Sequence, residues 1–253
     1  MSSKAAATNL FPNCHAVPTV SCAQCRLNAI CLPLTLHVED IDKVNEIIQR
    51  GRPLQKGQHL YHANDPFHSI FAVRSGSIKT VAVTDDGQEQ VTGFYLPGEI
   101  LGMDGVGSDN HCNTAIALET TAICEIPFNS IEDLATGIPR LQRHLFQILG
   151  REIRADQQLI TLLSKSSAEE KIATFLLSIS SRNHRRRLSA TAFRLPMSRA
   201  DIGNYLGLTV ETVSRCLSRL QKQNIIKADK REIVIENLDA LRNMANLGHH
   251  TEN

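Results

Sequence analysis

The rhythm of apolar and polar positions changes along the chain, and each rhythm predicts a different kind of element. From Glu39 to Arg50 apolar side chains recur at Ile41, Val44, Ile47 and Ile48, a helical spacing that Gly51 and Pro53 then break. Between residues 53 and 127 the pattern turns into short β-branched and aromatic runs: His59–His62, Ile70–Val73, Ile78–Val83, Val91–Phe94, Thr114–Leu118 and Ala122–Ile126. Lys56-Gly57, Asn64-Asp65-Pro66, Ser75-Gly76, Asp85-Asp86-Gly87 and Pro97-Gly98 punctuate them, so the stretch predicts an all-β sandwich or barrel. From Pro139 to Leu163 the helical period returns over roughly 25 residues, about 37 Å of helix. One stripe runs Gln142, Phe146, Leu149, Ile153, Asp156, Ile160, Leu163 in alternating steps of four and three, and from Phe146 onward it is a heptad seam whose only misfit is Asp156. A second face, Leu141, Leu145, Ile148, Leu159 and Leu162, is apolar too, and a helix apolar on two sides has two partners: its own barrel and a second copy of the chain.

Beyond this helix, Ser167-Ala168-Glu169-Glu170 is a capping box that opens a helix through Ser180, and the basic stretch Ser181–Ser189 reads as a loop. Residues 195–235 give helix, tight turn, helix and hairpin. Ser198 and Thr209 are placed to cap the two helices, Gly207 to reverse the chain, and small Gly203 to let the helices approach. On the second helix Glu211, Ser214, Arg215 and Ser218 share one polar face, opposite Val213, Cys216, Leu217 and Leu220. In a DNA major groove Arg215 can pair with guanine O6 and N7, Glu211 can accept from cytosine N4, and Ser214 suits either. Glu211 and Arg215 are also spaced for an ordinary surface pair. The hairpin Ile225–Lys227 and Ile233–Ile235 around Lys230-Arg231 supplies a wing that, like His184–Arg187, suits phosphates.

Charge sharpens the division. Residues 1–166 carry 13 basic and 17 acidic side chains, net −4, and residues 167–253 carry 14 and 9, net +5, so a polyanion partner is expected for the second half alone. The 253 residues are enough for two cores. No apolar run reaches membrane-helix length and no signal-peptide core follows the start, which predicts a cytoplasmic chain. No phosphate loop, nucleophilic triad or paired-carboxylate motif appears, so no enzyme activity is expected.

Four of the seven cysteines, Cys14, Cys22, Cys25 and Cys31, fall in the first 34 residues, which have no periodic core pattern. Cys22-x2-Cys25-x5-Cys31 gathers three thiols, whereas zinc and iron-sulfur sites commonly take four. Cys14, Cys112, Cys124 and Cys216 are the candidates for the fourth, with Cys216 better suited to burial in its helix. Cys124 alone would join the N-terminal segment to the barrel beside the long helix. Arg26, next to Cys25, is a cation placed to act on such a site or to face solvent.

Ser21-Cys22-Ala23-Gln24-Cys25 with Cys31, the segment Cys124-Glu125-Ile126-Pro127-Phe128, and the run from Asp201 through Arg215 resemble the fumarate and nitrate reduction regulators of the cyclic-AMP receptor superfamily. The resemblance covers nearly the whole chain. It implies an α+β fold: a cysteine-rich segment (1–34), a jelly-roll β-barrel sensor domain (35–138), a dimerisation helix (139–165) and a winged helix-turn-helix (166–253). It further implies a 4Fe-4S cluster on Cys22, Cys25, Cys31 and Cys124, and a homodimer joined through Phe146, Leu149, Ile153, Asp156 and Ile160. Glu211, Ser214 and Arg215 would read a TTGAT-N4-ATCAA palindrome in double-stranded DNA. The turn Thr84–Gln88 falls where relatives touch RNA polymerase. Pro97-Gly98-Glu99 matches the superfamily's cyclic-nucleotide binders, but Asn113-Thr114-Ala115 stands where they carry an arginine anchor for the phosphate, so no cyclic nucleotide is expected. Two Asp156 carboxylates facing each other would oppose pairing until the cluster favours it. A structural zinc protein that binds DNA constitutively is the competing expectation, with a haem or nucleotide sensor in the same fold as a third.

Overall fold

The computed structural model describes residues 20–84, 87–165 and 167–245, so Cys14, Asp85 and Asp86 lie outside the described residues. Overlapping turns from Ser21 to Cys31 lead into a single 3-10 turn, Leu32–Thr35, and Leu32 is fully buried. Helix α1 (Val38–Ile47) follows, then the two-residue strand β1 (Gln49–Arg50). The helix expected to reach Arg50 therefore stops short: Ile48 is extended, and Gln49 and Arg50 join a sheet. The β-branched pair Ile47-Ile48 is as suited to a strand as to a helix, and the sheet edge offers the ladder bonds that decide between them.

Strands β2 (His59–Tyr61), β3 (Ser69–Ser75), β4 (Ile78–Val83), β5 (Glu89–Tyr95), β6 (Ile100–Leu101), β7 (Thr114–Ala117) and β8 (Ala122–Pro127) then build two antiparallel four-stranded sheets, ordered β1-β8-β3-β6 and β2-β7-β4-β5. They enclose Leu60, Phe71, Val73, Ile78, Leu101, Ala115 and Ile123. The result is an open jelly-roll-like sandwich; the predicted barrel is a loose description of it.

Helix α2 (Phe128–Gly137), which the sequence pattern did not reveal, leads into α3 (Pro139–Lys165), whose 27 residues span about 40 Å. Leu141 and Ile148 on its inner face join Leu32, Val44, Ile126 and Ile131 in one core cluster. The seam opposite stays bare, with Phe146, Ile153 and Ile160 exposed by 65%, 57% and 66%. No helix among the described residues is long and apolar enough to cross a membrane.

Helix α4 (Ala168–Arg185) opens on the expected capping box at Ser167 but runs past the expected loop start at Ser181. Its final turn is held by tertiary partners of Arg182 and by buried Asn183, and its basic residues suit a helix C-terminus. Strand β9 (Ala192–Arg194), helices α5 (Arg199–Leu206) and α6 (Val210–Lys222), strands β10 (Ile226–Asp229) and β11 (Glu232–Ile235), and helix α7 (Leu238–Met244) complete a winged helix-turn-helix. The wing is a three-stranded sheet ordered β10-β11-β9, one strand more than the expected hairpin.

This domain packs directly on the β-sandwich. Val81, Val91, Phe94, Leu96 and Leu118 share a core with Phe175, Leu176, Ile202 and Leu206. Asn204 on α5 accepts from the Val91 N–H and donates to the Glu89 carbonyl at 2.7 Å, so its amide covers the free edge of β5. Lys79 on β4 reaches Asp201 Oδ1 at 2.7 Å.

Candidate functional site

Strand register determines where the thiols meet. On β8, Cys124 stands opposite Ala72 of β3 and Arg50 of β1. The N-terminal turns fold over that part of the sheet, held by Cys25 N–H to the Cys22 carbonyl (3.3 Å) and Cys31 N–H to the Leu27 carbonyl (2.9 Å). Cys22, Cys25, Cys31 and Cys124 thereby line one cavity, with Val20, Leu32, Ile48, Ala72 and Ile126 among its walls and Arg50 and Arg74 as its cations. The thiols stand around the wall rather than in contact: no three His, Cys, Asp or Glu side chains among the described residues gather closely enough to hold a single metal ion.

Burial pushes the Cys31 thiol up to about 12. Burial also raises Cys22 and Cys124, against the pull of the Arg50 guanidinium on both. Cys22, Cys31 and Cys124 therefore favour the protonated thiol, and a metal must displace those protons to enter. Of the other candidate ligands, Cys112 is exposed on a loop where its N–H donates to Asp104 Oδ2 (2.9 Å), and Cys216 is buried in the winged-helix core. Arg26 is exposed and does not line the cavity. The cavity's cations are Arg50 and Arg74, and the sequence could not single out Arg50 while Gln49 and Arg50 read as the end of a helix.

Asn45 on α1 organises this corner: its Oδ1 accepts from the Cys22 N–H (3.0 Å) and from Arg50 Nη2 (2.8 Å), while Arg50 Nη2 also points at Cys22 Sγ (3.5 Å). The cavity touches α3 as well. Leu32 packs with Leu141 and Ile148, and half-buried Cys31 lies against the same cluster. On the far side of the turns, Ile30 sits against Gly98, whose φ of +90° suits glycine and whose missing Cβ would lie 2.5 Å from Ile30 Cδ1.

Next to Gly98, Glu99 is committed to the winged helix. Arg182 Nε donates to Glu99 Oε1 (2.7 Å) and Arg182 Nη2 to Oε2 and to the Phe94 carbonyl. At the position of the nucleotide binders' arginine, Asn113 donates to Asp104 Oδ2 (3.2 Å) and lies 3.1 Å from the Thr92 hydroxyl.

Along α3, Phe146, Ile153, Asp156 and Ile160 face outward and Leu149 is half-buried. Partial burial raises the Asp156 carboxyl above its ordinary range. On the inner side Tyr95 Oη donates to Glu152 Oε1 (2.6 Å), and burial raises Glu152.

The helix-turn-helix has the local chemistry its sequence implied. Ser198 and Thr209 cap their helices, accepting from the N–H groups of Asp201 (3.1 Å) and Thr212 (3.2 Å). Gly207 is left-handed at φ +62°, and a Cβ on Gly203 would lie 2.6 Å from the Leu208 carbonyl oxygen. Glu211, Arg215 and Ser218 are exposed on one face, with Ser214 half-buried beside them. Arg215 donates to Thr212 Oγ1 (3.1 Å) rather than pairing with Glu211. Arg199 of α5, which the sequence had not marked, donates to Ser214 Oγ (3.0 Å) and adds a cation to this surface.

Known proteins share these parts. The cyclic nucleotide-binding domain model matches residues 51–136 and the Crp-like helix-turn-helix model matches residues 170–244. The transcriptional activator protein Anr of Pseudomonas aeruginosa is 50% identical over 238 residues, covering 94% of this chain and 97% of that protein. The fumarate and nitrate reduction regulatory protein of Escherichia coli is 45% identical over 234 residues, 92% of each chain. Among solved structures, FixK2 from Bradyrhizobium japonicum superposes with a TM-score of 0.72 at 32% identity, covering 78% of this chain and 97% of that one.

Proposed function

The chain belongs to the fumarate and nitrate reduction regulators of the cyclic-AMP receptor superfamily, and from that premise we propose that it switches anaerobic gene expression in response to oxygen. It is a DNA-binding transcription regulator and not an enzyme. In this reading Cys22, Cys25, Cys31 and Cys124 hold a 4Fe-4S cluster. The observation that carries it is the convergence of thiols from two distant parts of the chain on one mostly apolar cavity, a donor set and setting that fit such a cluster. When bound, the cluster supplies an oxygen-labile tie between the N-terminal turns and β8.

The chain's own residues do the rest. Leu32 and Cys31 pack in the cluster that holds Leu141 and Ile148, so order in the turns reaches the first half of α3. Phe146, Leu149, Ile153 and Ile160 pack against the same residues of a second copy, and Asp156 opposes that pairing because two carboxylates meet across the two-fold axis. Pairing sets two α6 helices about 34 Å apart, one helical turn of DNA. Glu211, Ser214 and Arg215 then read base edges in the two halves of a TTGAT-N4-ATCAA palindrome. The turn Thr84–Gln88 contacts RNA polymerase, activating or repressing transcription.

Cyclic nucleotide has no role in this scheme, which is supported by Arg182 on Glu99 and by Asn113 in the phosphate-anchor position. The working parts are the cysteine segment 1–34, the sensor sandwich 35–138, the dimerisation helix 139–165 and the DNA-binding domain 166–253, in a cytoplasmic homodimer. Anaerobic purification tests the scheme. The expected protein is brown, contains iron and acid-labile sulfide, binds the palindrome, and loses colour and operator affinity together in air. A colourless zinc protein whose operator binding ignores air overturns it.

A further inference from the structure

A half-buried cation in the wall of the thiol cavity lacks a carboxylate partner among the described residues. Arg50 lies on β1 directly opposite Cys124, and its hydrogen-bond partners are Asn45 Oδ1 and Cys22 Sγ, neither of them a carboxylate. Its Nε is buried and has no hydrogen-bond partner among the described residues. No carboxylate among those residues forms an ion pair with it. A guanidinium partly withdrawn from water, with a buried donor left unused and no carboxylate beside it, is costly, and an anion in the cavity would complete it. Asn45 holds the group in place, since the same Oδ1 binds the Arg50 guanidinium and the Cys22 backbone.

We propose that Arg50 is the counter-cation of the sulfur site, its guanidinium donating to the Cys22 sulfur and presenting Nε to the cluster's sulfur atoms. The proposal rests on the cluster reading above and adds a positioning residue to it. A 4Fe-4S core with four thiolates is net negative, and each added electron makes it more so. A nearby cation and N–H donors to sulfur therefore favour the reduced state and raise the reduction potential. Without them the cluster is easier to oxidise and more quickly lost in air. Arg26, exposed on the turns, has no such influence.

The test compares wild type, Arg50→Lys, Arg50→Met and Arg26→Met, all reconstituted anaerobically with iron and sulfide. Iron content, midpoint potential and the half-life of visible absorbance in air are measured for each. Arg50→Met is expected to have a more negative potential and a half-life about 10-fold shorter, the scale of other outer-shell partners of metal ligands. Arg50→Lys should fall between it and wild type, and Arg26→Met should match wild type. Arg50→Met fully loaded, with wild-type potential and half-life, overturns the proposal. If Arg50→Met does not fold by circular dichroism, Arg50→Gln takes its place under the same criteria. A wild-type preparation that takes up no iron and sulfide defeats the cluster reading itself, which distinguishes that failure from this one.

Discussion

Removing the Arg182 guanidinium, as in Arg182→Met, should loosen the winged helix from the β-sandwich. Arg182 and Glu99 are only 16% and 26% exposed, and the contact is two-pronged, with the Phe94 carbonyl as a further acceptor. Breaking one side of a buried pair costs about 3–5 kcal/mol, chiefly because the abandoned carboxylate keeps its desolvation penalty. Partial solvent access at this pair lowers the expectation to about 2–3 kcal/mol. Glu99→Gln should cost a similar amount, and the double variant clearly less than the sum, with a coupling of at least ~1 kcal/mol. Urea unfolding followed by far-ultraviolet circular dichroism measures this, the chain having no tryptophan to report by fluorescence. Additive single effects, with coupling below about 0.5 kcal/mol, would refute the reasoning and reduce the pair to a surface contact.

Asp156→Ala removes the polar residue from an otherwise apolar seam, and the iron-free variant is expected to sediment as a dimer that binds the palindrome; an iron-free monomer would count against the α3 seam as the switch. At the domain contact, burial raises Asp201 but Lys79 and Ser198 outweigh it and hold the carboxyl below its ordinary range. Its stabilisation is therefore present above the unfolded value of about 3.9 and fades as pH falls through the lower folded value. Asp201→Asn should be less stable than wild type at pH 7, and the gap should close in acid. Arg215→Ala should lose about 1–3 kcal/mol of operator affinity and relax selectivity at one base pair in each half-site, as read by gel shift on single-base operator variants.

What the sequence made legible was local. The caps Ser167, Ser198 and Thr209, the reversal at Gly207 and the outward face of α6 depend on residues within one or two turns of each other, so spacing alone determined them. The two faces of α3 were legible for the same reason. The resemblance singled out Cys124, but its pairing with Arg50 depends on register between strands more than 70 residues apart, which no local pattern carries. The extension of α4 to Arg185 was hidden likewise, because its polar last turn is stabilised by Glu99 on another domain. Helix α2 and strand β9 are short, and their signals are too weak to stand out between stronger neighbours.

The turn at Gly98 and Glu99 makes two halves of the protein share one footing. Gly98 supports the cysteine-bearing turns through Ile30, and Glu99, the next residue, anchors α4. A side chain added at 98 would have to push Ile30 aside and also bear a left-handed backbone, and shortening Ile30 would leave a void under the turn. Substitutions at either end of this contact are thus felt on both sides, by the loop that carries the thiols and by the domain that grips DNA, and the two surfaces are constrained to change together.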